Sequence, residues 1–184
     1  MENNDRAKNL ASAYFAGGCF WCLDPIFYHI KGVEQVKVGY AGGATADPTY
    51  EAVSGGRTGH AETVKIDYDP SVIAYADLLH IFFTIHNPTT MNRQGADVGT
   101  QYRSIVFYRD ASEKKVIEVI IAETNTAKIY DAPIVTQVVP LENFYSAEEY
   151  HQKYFEKNPE AAYCQLVVAP KVAKFRQKYG YLYK

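Results

Sequence analysis

Residues 17–22 read Gly-Gly-Cys-Phe-Trp-Cys and separate two segments of different hydrophobic pattern. Before them, residues 12–15 look like a short strand, which the glycine pair ends. After them, apolar residues recur at helical spacing over residues 23–30. The sequence therefore predicts a strand-to-helix junction at Cys19.

Short elements of both kinds alternate along the rest of the chain. Further strands are predicted at residues 36–40, 60–68, 102–108, 133–139 and 167–168. Further helices are predicted to begin near residue 50, Ser71, Ser112 and Ser146, with a closing helix at 172–179, and Ser146 and Glu149 have the spacing of a capping box. This alternation, without internal repeats, favours a domain of mixed α and β structure.

The size and composition of the chain are those of a single globular domain. Of its 184 residues, 47% are hydrophobic and 22% are charged. Such a chain can bury its own core without disulfides or a metal ion. We predict a flexible N-terminus at residues 1–10 and one domain at residues 11–184.

Charge and hydropathy argue against two classes of partner. The formal net charge is −2, and no run of Lys and Arg is long enough to follow phosphates, so nucleic acid is not expected. A membrane is not expected either, because no apolar run approaches the roughly 18 residues that span a bilayer. Residues 1–10 lack the apolar core of a signal peptide, which predicts a cytoplasmic protein. The odd count of three cysteines fits poorly with a secreted disulfide framework.

The position of Cys19 favours a nucleophilic role. The two preceding glycines permit close approach of a substrate, and the positive end of a helix favours the reactive thiolate. Three alternatives remain. Cys19 and Cys22 could simply be buried, could bind zinc with Cys164 and scattered histidines, or could form a thioredoxin-like dithiol. A dithiol does not explain the aromatic residues between the two thiols, and a complete zinc site lacks a second Cys-x-x-Cys.

The strand predicted at residues 60–68 places a carboxyl group on an apolar face. Because alternate residues of a strand point to the same face, Glu62 lies on the same face as Val64, Ile66 and Tyr68. Burial favours the neutral form of a carboxyl group, which would make Glu62 a proton donor near neutral pH. An ion-paired strand carboxylate is the alternative.

Several blocks of sequence occur together in an order that one known family shares. They are Gly18-Cys19-Phe20-Trp21 and residues 39–43, 48–53, 58–62 and 92–104. The chain thereby resembles the A-type peptide methionine sulfoxide reductases. This resemblance implies an α+β fold, a single-domain two-layer sandwich of a mixed β-sheet with helices, ferredoxin-like in character. It also implies that residues 11–184 form a catalytic domain.

The resemblance implies reduction of the S epimer of methionine sulfoxide, free or in oxidised proteins. No metal and no organic cofactor is implied, and thioredoxin is the implied reductant. The implied roles are a nucleophile at Cys19, a methyl pocket at Phe20 and Trp21, an acid at Glu62, hydrogen bonds to the sulfoxide oxygen from Tyr50 and Tyr102, and a contact to the methionine backbone at Asp97. Two other functions remain as alternatives: a general dithiol-disulfide oxidoreductase, and a non-catalytic module that binds methionine or its sulfoxide.

The sequence leaves open whether Cys22 or Cys164 is the thiol that resolves the oxidised Cys19. Cys164 matches a C-terminal family position where resolving cysteines occur, whereas Cys22 stands where the family commonly has Gly. Cys22 is favoured by its short separation from Cys19, which makes loop closure inexpensive. The first helical turn would have to tighten, because Cβ atoms three residues apart on a helix are about 5 to 6 Å apart and a disulfide needs about 3.5 to 4.5 Å.

Overall fold

The computed structural model of the chain describes residues 9–184. Its elements are, in chain order, β1 (Ala11–Ala16), α1 (Phe20–Tyr28), β2 (Val33–Ala41), α2 (Tyr50–Ser54), β3 (Ala61–Tyr68), α3 (Tyr75–Ile85), β4 (Arg93–Gln94), β5 (Asp97–Val98), β6 (Ile105–Tyr108), α4 (Ala111–Thr126), β7 (Gln137–Pro140), β8 (Phe144–Ser146), α5 (Tyr154–Lys157) and α6 (Ala169–Tyr179). Except for residues 9 and 10, the predicted flexible segment lies outside the described residues.

Six strands form a mixed sheet in the order β7-β6-β1-β3-β2-β8. The pair β6 and β7 is parallel, and the other pairs are antiparallel. Because β1 and β3 are antiparallel with Phe15 opposite Val64, the end of β1 lies beside the start of β3. Ala16 lies opposite Ile105 at the start of β6. The residues that follow β1, those that begin β3 and those that precede β6 therefore meet at the same end of these neighbouring strands.

The helices cover one face of this sheet. Alternate residues of the central strands, such as Phe15, Val64 and Ile66, point into the main core, where they pack with residues of α1 and α3. The intervening residues form a smaller apolar cluster around Ala16, Ala41, Ala61, Ile105 and Phe107. The predicted two-layer α+β arrangement is confirmed.

Two predicted elements near the C-terminus are wrong. Residues 164–168 form a π-helical turn that continues into α6, where a strand was predicted at 167–168. Val168 is completely buried in a cluster with Cys19 and Cys22, so tertiary packing overrides the strand propensity of paired valines. The predicted capping box at Ser146 is absent because Ser146 pairs with Gly39 of β2 as the end of edge strand β8.

Some predicted boundaries also shift. α3 begins at Tyr75, because Ser71 instead donates to the Asp69 carboxylate within a turn. Asp110 caps α4, its carboxylate accepting hydrogen bonds from backbone N–H groups that include that of Ser112. Tyr102 belongs to a 3₁₀ turn at Thr100–Tyr102, so β6 is shorter than predicted. β7 spans Gln137–Pro140, so it begins four residues later and ends one residue later than the strand predicted at 133–139.

Candidate active site

The junction before α1 has the backbone that the sequence predicts. Gly18 adopts φ +95°, and a Cβ built there would lie 2.6 Å from the Cγ atom of Gln94, so only glycine fits. Cys19 is the N-cap of α1 and has an extended backbone. The N–H of Cys22 donates to the carbonyl of Cys19 at 3.0 Å, which closes the first turn more tightly than a regular α-helix does.

A cavity of about 220 Å³ opens beside Cys19. Its lining consists of Cys19, Phe20, Trp21, Tyr50, Glu62, Asp97, Tyr102 and Tyr163. The structure therefore brings together seven of the nine residues that the sequence singled out. The other two, Cys22 and Cys164, are buried and are not part of the lining.

Glu62 is buried at the start of β3, with only 2% of its surface exposed. The N–H of Phe20 donates to its Oε2 atom at 3.0 Å. Burial is the main cause that raises the pKa of Glu62 to about 8, and the charge of Asp97 adds to it. At neutral pH the carboxyl group is therefore mostly protonated and can donate a proton into the cavity.

The thiols of Cys19 and Cys22 have pKa values that differ in direction. Burial raises the pKa of Cys19 well above its ordinary value, and the nearby Cys22 and Glu62 add to this effect. A hydrogen bond from Cys19 is the largest factor that lowers the pKa of Cys22 to about 7, and Lys171 lowers it further. The surroundings of this pair therefore favour the thiolate at Cys22, where Lys171 is close, whereas helix position alone favours it at Cys19.

The indole of Trp21 is held in one orientation. Its N–H donates to the Nδ1 atom of His151 at 3.2 Å, and its ring stacks on Tyr154 with centroids 3.9 Å apart. Burial lowers the pKa of His151, which keeps the imidazole neutral and able to accept this bond. Sequence reasoning missed His151 and Tyr154, because neither residue lies near Trp21 in the chain.

Asp97 reaches the cavity from the short hairpin formed by β4 and β5. The hydroxyl of Tyr163 donates to its carboxylate at 2.8 Å. Tyr163 also lies 4.0 Å from the Sγ atom of Cys22. It was not among the predicted site residues, although it directly precedes Cys164, and the chain contains 16 tyrosines with no sequence signal that separates them.

Cys164 begins the π-helical turn and is completely buried. All three cysteines are free thiols.

Among residues 9–184, no group of three or more His, Cys, Asp or Glu side chains is arranged to hold a metal ion. None of the helices in this part of the chain is both long enough and apolar enough to cross a bilayer.

Comparison with known proteins places this site in a family. A family model described as peptide methionine sulfoxide reductase matches residues 11–182. The peptide methionine sulfoxide reductase MsrA of Natronomonas pharaonis is 53% identical over 170 residues, or 92% of this chain and 96% of that protein.

Solved structures agree. The crystal structure of reduced Mxr1 from Saccharomyces cerevisiae matches with a TM-score of 0.77 at 38% identity, covering 87% of this chain and 91% of that one. Mxr1 in complex with Trx2 matches with a TM-score of 0.54 at 26% identity, covering 84% and 90%. The family model spans residues 11–182, which include the strand-to-helix junction at Cys19, so this chain belongs to the peptide methionine sulfoxide reductase family of oxidoreductases.

Proposed function

We propose that this protein reduces the S epimer of methionine sulfoxide, free or in oxidised proteins, with Cys19 as nucleophile and Glu62 as acid. The observation that carries the proposal is that Cys19 and the buried Glu62, whose pKa is raised to about 8, line the same small cavity. A sulfoxide oxygen leaves sulfur readily only when it is protonated. A neutral carboxyl group beside the attacking thiol supplies that proton.

The remaining residues of the cavity match the parts of the substrate. Phe20 and Trp21 offer apolar surface to the S-methyl group. Tyr50 and Tyr102 have hydroxyl groups for the sulfoxide oxygen, and burial raises the pKa of both, so they stay protonated donors. The carboxylate of Asp97 is positioned for the polar backbone of the methionine.

In the first step, Cys19 Sγ attacks the sulfur of the sulfoxide. The S–O bond to methionine breaks, and the oxygen ends on Cys19 as a sulfenic acid, with methionine released. Glu62 protonates the oxygen and recovers a proton from the Cys19 thiol, so the net reaction is thiol plus sulfoxide to sulfenic acid plus thioether. A second thiol, Cys22 or Cys164, then displaces water from the sulfenic acid and forms a disulfide.

We propose thioredoxin as the reductant of that disulfide. The structure of the relative Mxr1 in complex with Trx2 supports a protein partner of this kind. Residues 11–184 act as one catalytic domain in this proposal, and the cytoplasm, where thioredoxin keeps thiols reduced, is the proposed compartment.

The test is to incubate the protein with dithiothreitol and each sulfoxide epimer of N-acetylmethionine, with the Cys19→Ser variant as control. We expect turnover of the S epimer only, and none by the variant. A general dithiol oxidoreductase would instead reduce insulin disulfides, and a binding module would do neither. Equal turnover of both epimers would contradict the proposed stereochemistry.

A further inference from the structure

Cys22 has a cationic neighbour that the reaction described above does not use. The Nζ atom of Lys171 donates to the Sγ atom of Cys22 at 3.4 Å. Lys171 lies in the first turn of α6, and Cys22 lies in the first turn of α1 with 3% of its surface exposed. The contact therefore joins a buried thiol to a lysine on a helix from the far end of the chain.

A neutral thiol is a poor partner for an ammonium group. Lys171 is half-buried where it meets the buried sulfur, and a thiolate there gains a charge-assisted hydrogen bond that a neutral thiol does not. The other titratable groups around Cys22 are the thiols of Cys19 and Cys164, the hydroxyl of Tyr163 and the carboxyl of Glu62. None of these four groups is a cation, so Lys171 alone among the groups named here brings a positive charge to Cys22.

We propose that Lys171 is a positioning residue that holds Cys22 as a thiolate, and that this thiolate resolves the sulfenic acid of Cys19. The first disulfide is then Cys19–Cys22. This inference rests on the proposed function and selects between the two thiols that the sequence left open.

The step is chemically balanced. The Cys22 thiolate attacks Cys19 Sγ, the S–S bond forms as the S–O bond breaks, and the hydroxide takes up a proton and leaves as water. Lys171, whose charge does not depend on the oxidation state of Cys19, lowers the pKa of Cys22, and a lower pKa brings the attacking thiol closer to ambient pH, where it is most effective. Burial raises the pKa of Cys164, so Cys164 is a thiol at neutral pH and a weaker nucleophile.

The backbone also favours this pair. The 3.0 Å hydrogen bond between the Cys22 N–H and the Cys19 carbonyl closes the tightened first turn that a disulfide over three residues needs. Cys164 does not share this turn, because it is buried within the π-helical turn at residues 164–168.

The experiment compares the parent with Lys171→Met, Lys171→Arg and a matched control, Lys174→Met, which changes an exposed lysine of the same helix. Iodoacetamide labelling of Cys22, located by mass spectrometry, is followed from pH 5 to 10. In separate, unlabelled samples without reductant, one equivalent of the S epimer of N-acetylmethionine sulfoxide oxidises Cys19, and the rate and position of disulfide formation are measured by peptide mapping.

We expect the labelling midpoint of Cys22 to rise by about one pH unit or more in Lys171→Met and Cys19–Cys22 formation at pH 7 to slow by about tenfold. Lys171→Arg should restore both, and Lys174→Met should match the parent. An unchanged midpoint, an unchanged rate, or a dominant Cys19–Cys164 linkage in the parent would overturn the inference. Methionine release in the first turnover, assayed separately, reports on the proposed function, so failure of one is distinguishable from failure of the other.

Discussion

Glu62 is a carboxyl group that the fold surrounds with apolar side chains. Its neighbours of the same parity on β3, Val64, Ile66 and Tyr68, are all buried. The single backbone hydrogen bond from Phe20 stabilises the carboxylate too little to offset the loss of hydration, so the pKa rises to about 8. At this scale the environment of one residue converts an ordinary acid into a proton donor at neutral pH.

Replacing Glu62 with Gln should remove the proton donor and keep the shape. We expect Glu62→Gln to slow Cys19 sulfenic acid formation by about 10² to 10⁴-fold, the usual range for losing a general acid. The measurement is methionine release in a single turnover at pH 7, with intact folding checked by circular dichroism. A rate within two- or threefold of the parent would mean that Glu62 is a structural carboxyl group, with Tyr50 and Tyr102 as the remaining donors.

The pKa of Glu62 also predicts a pH profile. The acid works only when protonated, and ionisation of Cys19 affects the parent and Glu62→Gln alike. The ratio of the parent's first-turnover rate to that of the variant should therefore fall as pH rises through about 8, roughly tenfold for each further pH unit. Rates measured from pH 6 to 10 on both proteins check this, and a ratio that stays constant over this range would assign the acid to another group.

At the scale of elements, α1 contains a second buried carboxyl group. Asp24 is 2% exposed, and its pKa is raised to about 7, mainly by burial and then by the charge of Glu156. A hydrogen bond from the backbone N–H of Lys153 and the charges of Lys153 and Lys157 oppose this rise. Asp24 therefore ties α1 to the segment that precedes and forms α5, which also carries the His151 and Tyr154 contacts to Trp21.

The raised pKa means that Asp24 favours the folded state in its protonated form. This contribution is fully present below the ordinary pKa of 3.8 and is lost as pH rises through about 7. Asp24→Asn keeps a hydrogen-bond acceptor and cannot ionise. We expect it to be more stable than the parent at pH 8, by about 2 to 4 kcal/mol, and similar to it at pH 4.

Urea unfolding at the two pH values measures this difference. Asp131→Asn, at an exposed position, is the matched control and should leave stability unchanged at both. A loss of stability in Asp24→Asn at pH 8 would show that the ionised form is the stabilising one.

At the scale of the whole molecule, one arginine connects the loops that carry the cavity. The guanidinium of Arg103 donates to the carbonyls of Gly42, Gly59 and Thr100, at 3.4, 2.9 and 2.8 Å. These carbonyls belong to the segments around α2 and to the 3₁₀ turn that contains Tyr102. Arg103 thus joins the segments that bring Tyr50 and Tyr102 to the same cavity.

Arg103→Met should remove the guanidinium donor from the carbonyls of Gly42 and Gly59 and leave the Thr100 carbonyl with only the backbone N–H of residue 103. We expect the free energy of unfolding to fall by about 2 to 4 kcal/mol, and the first-turnover rate to fall in the folded fraction because Tyr50 and Tyr102 lose their alignment. Arg57→Met, at an exposed position near the same loops, serves as control. Thermal unfolding and single-turnover assays on both variants check this, and equal behaviour of the two would refute the connecting role of Arg103.

Local sequence pattern determined the alternation of elements, the junction at Cys19 and the burial of Glu62. These features depend on residues that are close in the chain. Glycine positions and the alternation of apolar residues therefore indicate the local backbone conformation directly. The predictions that were wrong, such as the strand at residues 167–168, concern segments whose structure depends on what they pack against. Periodicity does not report that packing.

Tertiary structure alone decided the contacts that set the chemistry of the thiols and the indole. Lys171 meets Cys22, His151 meets Trp21, and Tyr163 meets Asp97, each pair being separated by at least 66 residues. None of these pairs has a local signal, because hydrogen bonding and charge act through space and not along the chain. The residues that could react were visible in the sequence, and the neighbours that set their protonation were determined by the fold.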